Sequence, residues 1–263
     1  MDTKALRQKI LDLAIHGHLL PQDPNDEPAI ELLKRIRKEK EHLIKEGTIK
    51  KTSITDSTIY KTDDDRYYER IGKSNIDITD EIAFEIPQGW EWSRMNVVAN
   101  LYTGDSISEE EKKSKYTNVL GKEYIGTKDI SFDHIVDYKN GVSIPDKYIS
   151  NFNIAPAESI LLCIEGGSAG RKIAQINQSV CFGNKLCCFD FYDFAISKYV
   201  YYYLQSPSFF ENFKGNISGI IGGVSMTKLK TLLIPLPPLA EQERIVGEIE
   251  KIFAVLDRIE REV

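Results

Sequence analysis

The chain has 263 residues, of which 41% are hydrophobic and 28% are charged, and its formal net charge is −6 at pH 7. This composition is ordinary for a soluble globular protein with one substantial core. The longest apolar run covers residues 160–164, far short of the roughly 20 residues that cross a bilayer, so we expect no membrane partner. Because the net charge is negative, any binding to nucleic acid must depend on local basic clusters rather than on bulk attraction.

The first residues and the cysteines both favour a cytoplasmic protein. Residues 1–9 contain no apolar secretion signal. The cysteines lie in strand-like segments rich in Ile, Leu and Phe, and they lack the paired C-x-x-C spacing of a zinc site. We therefore predict that all four are buried structural thiols: Cys163, Cys181, Cys187 and Cys188.

Residues 1–50 are predicted to form two helices. The first has apolar residues spaced by four and three, which places them on one helical face; these are Leu6, Ile10 and Leu13. Gly17 ends this helix. The second helix begins near Pro28, which suits a first helical turn, and Gly47 ends it.

The next segments change from polar to strand-like. Residues 51–85 are predicted to be a linker that contains a short hairpin, formed by residues 59–61 and 67–70. Residues 86–236 contain short β-branched or aromatic runs separated by turn residues; these runs are 124–126, 135–138, 159–164, 173–176 and 185–189. One helix is predicted at residues 197–205. The predicted fold class is α+β, with predominantly antiparallel strands.

The last segment, residues 237–263, is predicted to be a helix that begins near Ala240, after a proline-rich stretch. Its apolar residues are spaced 4, 3, 4 and 3, the a/d repeat of a coiled coil; they are Ile245, Ile249, Ile252, Leu256 and Ile259. This face must be buried, either on the chain's own domain or in a helical arm. Leu6, Ile10 and Leu13 offer a matching face for such an arm.

Catalytic and cofactor motifs are not recognisable. Residues 165–172 resemble a phosphate-binding loop but join two predicted strands and do not lead into a helix. The glycines at 219–223 lack the strand–turn–helix context of a dinucleotide site. His16 and His18 lack a third metal ligand, and no Asn/Asp-Pro-Pro-aromatic turn of an amine methyltransferase is present. We predict no catalytic residue, no metal and no cofactor bound by this chain.

Polar and basic residues concentrate in the predicted loops of residues 86–236. A single Lys pair is typical of a solvated surface, but several clusters beside glycine turns favour close approach to phosphates and bases. The candidate DNA-binding residues are Lys112, Lys113, Thr127, Lys128, Ser168, Arg171, Lys172, Asn184, Lys185, Ser225 and Lys228.

Several motifs resemble those of the DNA specificity subunits of type I restriction–modification systems. They are IPQGWEWSRM at residues 86–95, YIGTKDI at 124–130, ILLCIEGGSAGRK at 160–172 and IPLPPLAEQERIV at 234–246, together with the helical opening at residues 6–43. The resemblance implies one mixed α/β target recognition domain at residues 86–236, flanked by long coiled-coil-like spacer helices. It also implies that the chain binds double-stranded DNA without catalysis. Partner methylation and restriction subunits would use S-adenosylmethionine, ATP and magnesium.

The chain departs from the usual family pattern because it has one recognition domain where the family usually has two. It is either a fragment or a half-subunit that pairs with a second copy of itself. A symmetric pair would read an interrupted palindrome. Two other functions remain as alternatives: a coiled-coil adaptor protein, and a divergent DNA-modifying enzyme.

Overall fold

A computed structural model describes residues 2–49, 57–219 and 222–262 of the chain. Parts of the predicted linker at 51–85 and of the glycine run at 219–223 lie outside these residues. The chain forms two compact units, which we call the first and the second unit. The first unit comprises Met1–Val98, Lys198–Phe209 and Thr231–Val263, and the second comprises Ala99–Ser197 and Phe210–Lys230.

The secondary structure of the described residues alternates short strands with short helices between two longer helical ends. The α-helices are α1 (Thr3–Ile15), α2 (Ala29–Lys45), α3 (Met95–Val98), α4 (Glu109–Glu111), α5 (Ser197–Leu204), α6 (Pro207–Gly215), α7 (Met226–Thr231) and α8 (Leu239–Glu262). The strands are β1 (Ser57–Lys61), β2 (Tyr67–Ile71), β3 (Ser74–Asp77), β4 (Glu91–Arg94), β5 (Ala99–Thr103), β6 (Lys122–Ile125), β7 (Ser143–Ile144), β8 (Ile154–Ala155), β9 (Ile160–Cys163), β10 (Ile173–Gln175), β11 (Val180–Phe182), β12 (Leu186–Phe191) and β13 (Leu233–Leu236).

In the first unit, α1 and α8 pack against each other. Arg7 in α1 pairs with Asp257 near the end of α8. Gln22, which follows α1, donates to Glu241 at the start of α8 over 3.3 Å. These two contacts make the helices antiparallel. The side chain of Asp2 caps α1 by accepting a hydrogen bond from the Ala5 amide over 2.9 Å.

The helical face predicted to be a coiled-coil seam is largely covered inside this one chain. The buried residues are Ile10, Ile245, Ile249 and Leu256, with exposed fractions of 6%, 1%, 0% and 3%. These four residues are covered within their own chain, where α1 packs on α8 as expected for a helical arm. Ile252, Ile259 and Leu13 are half-buried, and Leu6 is 37% exposed. Among the described residues, no helix is long and apolar enough to cross a membrane.

The first unit also contains the antiparallel sheet β1–β2–β3 and the antiparallel pair β4–β13. Ile59, Tyr67 and Ile78 form a core cluster with Trp92 of β4 and Leu233 of β13. The hairpin predicted at residues 59–61 and 67–70 is confirmed by the pairing of β1 with β2, and a third strand, β3, extends it.

The second unit contains two four-stranded sheets, ordered β10–β9–β12–β5 and β7–β6–β11–β8. The first sheet is antiparallel throughout, and in the second only β6 and β11 are parallel. Leu161 and Cys188 from one sheet share a buried cluster with Ile125 and Phe182 from the other. The prediction of a mixed fold with predominantly antiparallel strands is confirmed.

Three features of the second half of the chain differ from the sequence predictions. Residues 135–138 do not form a strand, because residues 131–135 fold into a turn and leave only an isolated bridge between Ile130 and Val136. Helices α6 and α7 were not predicted. The predicted domain at 86–236 is divided between the two units, because β4 pairs with β13 in the first unit.

Candidate nucleic-acid interface

Several basic residues of the second unit lie at one end of the strands of the β10–β9–β12–β5 sheet, a place that we call the basic edge. Strand β9 ends at this edge, and its two antiparallel neighbours begin there. Lys172 directly precedes β10, and its carbonyl accepts from the Cys163 amide over 2.9 Å. Lys185 directly precedes β12, and its carbonyl accepts from the Ile164 amide over 3.0 Å. The sheet register therefore places Lys172 and Lys185 on the two sides of the end of β9.

The loop between β9 and β10 is a tight glycine turn. Gly166 and Gly170 have φ angles of +80° and +73°, which favour glycine. The Gly170 amide donates to the Cys163 carbonyl over 2.8 Å, and the Arg171 amide donates to the Ser168 carbonyl over 3.0 Å. This turn holds Ser168 half-buried and leaves Arg171 exposed.

A second segment lies beside this glycine turn. The Gly166 amide donates to the Gly222 carbonyl over 2.7 Å, and the Val224 amide donates to the Ile164 carbonyl over 3.0 Å. Ser225 follows directly and caps α7, since its Oγ accepts from the Lys228 amide over 3.3 Å. Ser225 and Lys228 are therefore brought to the same sheet edge, and both are exposed.

The turn after β6 joins the edge through Lys172. Residues Thr127–Asp129 form a 3₁₀ turn, in which the Asp129 carboxylate accepts from the Gly126 amide over 2.8 Å. Burial raises the pKa of Asp129, against the lowering effect of this hydrogen bond. Lys172 Nζ donates to the Thr127 carbonyl over 2.9 Å. Thr127 and Lys128 therefore lie beside the β9–β10 loop.

Lys112 approaches Lys128 from a π-helical turn, Lys112–Tyr116. Partial burial and then the neighbouring Lys128 ammonium lower the pKa of Lys112. Like charges repel each other, so a neighbouring anion would stabilise both ammonium groups. Lys113 is exposed next to Lys112 in the chain, but no contact ties it to Lys128.

Asn184 and Lys185 complete the edge between β11 and β12. The preceding Gly183 amide donates to the Ile125 carbonyl over 2.9 Å, which brings this segment to the end of β6. Asn184 and Lys185 are both exposed. Lys185 Nζ lies 3.6 Å from a carboxylate oxygen of Glu165, so part of its charge is balanced inside the protein.

The structure adds one residue that the sequence reasoning missed. Phe132 is 55% exposed, and its ring lies 5.3 Å from the Arg171 guanidinium and 5.2 Å from Lys172 Nζ. An aromatic residue inside the turn-forming run Ser131-Phe132-Asp133 was the available signal. It was overlooked because the following residues were assigned to a strand.

The cysteines and histidines do not form a site. All four cysteines are free and buried, as predicted. Burial raises the pKa of Cys181 to about 11 and that of Cys188 to about 12, so these thiols stay protonated at neutral pH. His16 Nδ1 lies 2.7 Å from the Asp12 carbonyl. Among the described residues, no group of three or more His, Cys, Asp and Glu side chains is placed to hold a metal.

Comparison with known proteins identifies relatives for nearly the whole chain. The specificity subunit of the type I restriction enzyme EcoAI from Escherichia coli is 31% identical over 97% of this chain, and that of EcoEI from the same organism is 29% identical over 98%. The chain spans 40% of the length of each of these relatives.

Solved structures show the same fold. One such structure comes from a study of complex assembly and conformational transition of the type I R-M system. The chain aligns with it over 99% of its own length and 52% of that protein, with a TM-score of 0.54 and 18% identity. It aligns equally well with the HsdS subunit from Thermoanaerobacter tengcongensis, with a TM-score of 0.53 and 17% identity, and covers 50% of it. The model of the type I restriction modification DNA specificity domain matches residues 87–263. The chain is therefore a member of the type I restriction–modification DNA specificity family.

Proposed function

We propose that this chain is a non-catalytic DNA specificity subunit that reads one half of a bipartite site with the sheet edge of its second unit. The observation that carries this proposal is the gathering of five cations at that edge: Lys112, Lys128, Arg171, Lys172 and Lys185. They come from segments far apart in the sequence, so the fold rather than the composition concentrates the charge. This explains how a chain of net charge −6 binds a polyanion.

The residues at the edge divide into two chemical roles. Lysine ammonium groups act as point charges that bind phosphates, and such contacts contribute affinity but carry no sequence information. Arg171 presents a planar set of donors that suits the edge of guanine in the major groove. Ser168, Asn184 and Ser225 offer short polar groups beside it, and the glycine turn allows the backbone to come close to the DNA.

Catalysis is assigned to the partners. We propose that a methylation subunit docks on this chain and uses S-adenosylmethionine, and that a restriction subunit uses ATP and magnesium. The assembly would work in the cytoplasm, where its DNA is. The family match supports this assignment, since the relatives are named as specificity subunits of type I restriction enzymes.

A second copy of the chain would supply the other half of the bipartite site. The chain spans 40% of the length of its relatives, so each relative is long enough to contain a second recognition domain of equal size. The residues still available for such contact are Leu6, Leu13, Ile252 and Ile259, which are half-buried or partly exposed, and Val255, which is 49% exposed. We propose that these residues cover each other across a two-fold axis.

The experiment that tests the proposed function is DNA binding measured as a function of salt. The chain, in complex with its methylation subunit, is titrated with a cognate duplex at several salt concentrations. Loss of one phosphate contact lowers the slope of log K against log salt by about 0.9. We expect this change for Lys128→Ala and for Lys172→Ala.

The matched control is Lys38→Ala, which removes an exposed lysine from α2 in the first unit. It should leave the slope unchanged. Equal slopes for all three variants and the wild type would contradict the proposal. Cleavage or methyl transfer by the isolated chain, incubated with DNA, magnesium and S-adenosylmethionine, would instead support a divergent enzyme.

A further inference from the structure

Phe132 is an exposed aromatic residue at the basic edge that the fold does not use in a core. Its side chain is 55% exposed, and Ile135 in the same turn is 68% exposed. Neither is part of the two buried clusters described for the second unit. The exposed Phe132 ring lies beside Arg171 and Lys172, which points to a role in binding.

The turn that carries Phe132 is held firmly. Ser131 Oγ accepts from the Asp133 amide and from the Ile135 amide, each over 3.1 Å. The Ser131 amide donates to the Ile135 carbonyl over 2.9 Å, and His134 takes a φ angle of +65°. Phe132 is therefore presented on a short turn that is closed by its own hydrogen bonds.

His134 fastens this turn to the β9–β10 loop. Its Nδ1 lies 2.9 Å from the carbonyl oxygen of Ile173, the residue after Lys172. Because a carbonyl oxygen only accepts, Nδ1 must carry the proton and donate it. The position of Phe132 relative to Arg171 and Lys172 is thus fixed by a hydrogen bond that does not involve the ring itself.

The Phe132 ring contacts both Arg171 and Lys172. The ring lies 5.3 Å from the Arg171 guanidinium and 5.2 Å from Lys172 Nζ, within the range of cation–π attraction. Lys172 Nζ also donates to the Thr127 carbonyl, and Arg171 donates to the Gly167 carbonyl. A guanidinium has five N–H donors, so most of the donors of Arg171 remain available for a ligand.

We propose that Phe132 and Arg171 act as one specificity-determining pair, in which the Phe132 ring contacts the C5-methyl group of a thymine and Arg171 binds the edge of a neighbouring guanine. This deepens the proposed function and rests on it. The thymine methyl is the apolar group that the major groove displays, and apolar side chains read it by contact. Lys172 serves the phosphate beside this step.

The test replaces single methyl groups in the DNA. The half-site is first identified from the sequence of methylated genomic DNA in cells that express the chain with its methylation subunit. Each thymine of that half-site is then replaced by uracil, which lacks only the methyl group. We expect one replacement to weaken binding by the complex about fourfold, the effect of one buried methyl group.

The protein variants assign that effect to Phe132. Phe132→Ala should bind the thymine and uracil duplexes equally, whereas Phe132→Tyr, which keeps the ring, should retain the fourfold discrimination. Phe194→Ala is the matched control, because Phe194 is 44% exposed and packs beside Phe191 on β12 rather than at the basic edge. It should also retain the discrimination.

Two results would overturn the pairing of Phe132 with thymine. One is a wild-type complex that binds every uracil duplex as tightly as the thymine duplex. The other is a Phe132→Ala complex that still discriminates. In either case a reduced salt slope for Lys128→Ala and Lys172→Ala would leave the proposed function standing, and an unchanged slope would remove that as well.

Discussion

Gly170→Ala gives the sharpest test of how the fold builds the basic edge. Gly170 has a φ angle of +73°, and a Cβ atom added there would lie 2.7 Å from Cδ1 of Phe213. Phe213 is fully buried, so its ring has little room to move. The left-handed backbone costs a non-glycine residue about 1–2 kcal/mol, and overpacking a core costs about 1–3 kcal/mol. We expect a loss of about 2–5 kcal/mol in the free energy of unfolding of the second unit.

The assay is thermal and urea unfolding followed by circular dichroism, together with DNA binding. A loss of that size lowers Tm by roughly 5–15 °C in a protein of this length. Gly167→Ala is the matched control in the same loop, because a Cβ atom at Gly167 meets nothing within 4 Å. It should be nearly neutral. If both variants unfold like the wild type, Gly170 is not in a left-handed conformation packed against Phe213.

Four other predictions concern the buried groups of both units and the surface of α1 and α8. Burial raises the pKa of Glu69, but hydrogen bonds from Arg94 and Ser57 outweigh it and lower that pKa below its usual value. Ionised Glu69 therefore stabilises the fold above its unfolded pKa, and this stability is lost as the pH falls through the folded pKa. Glu69→Gln should flatten the acid limb of a plot of unfolding free energy against pH, and an unchanged limb would contradict this. Arg94→Ala, which leaves that buried carboxylate without its partner, should cost about 3–5 kcal/mol in urea unfolding, well above the surface control Arg66→Ala. Thiol titration should find the four cysteines unreactive in the native chain and reactive in denaturant, and rapid labelling of the native chain would show that the β9–β12 core opens. Val255→Glu should shift the chain toward monomer in analytical ultracentrifugation, whereas an unchanged mass would refute the proposed two-fold contact.

The parts of the fold that depend on local sequence were predictable. Helix α2 begins after Pro28 and α8 begins at Leu239, as the proline positions and the apolar spacing indicated. The hairpin of β1 and β2 and the burial of the cysteines follow from the same local patterns. Each of these features depends on residues that are near one another in the sequence.

The candidate DNA-binding residues could be named from the sequence, but their arrangement could not, and their role in binding stays a prediction. The sequence indicated that Lys128 and Lys172 belong to a basic cluster. It could not show that Lys172 bonds to Thr127, because the two residues are 45 positions apart and meet only through the packing of two sheets. Phe132 was missed because residues 135–138 were predicted to be a strand, which hid the turn that brings its ring beside Arg171 and Lys172.

The helical seam was predictable from apolar spacing. The spacing of Ile245, Ile249 and Leu256 predicted a buried face, and the matching spacing in the first helix indicated a partner for it. In the structure α1 and α8 pack against each other, and no second chain is needed to bury those three residues.

The most direct test of the central claim is the sequence of the methylated sites in a genome. Cells express the methylation subunit alone, with the wild-type chain, or with the chain carrying both Phe132→Ala and Arg171→Ala. We predict that methylation at a defined bipartite motif requires the chain, and that the double variant relaxes or changes bases within that motif. Methylation of the same motif without the chain, or an identical motif with the double variant, would contradict the conclusion that this sheet edge selects the DNA sequence.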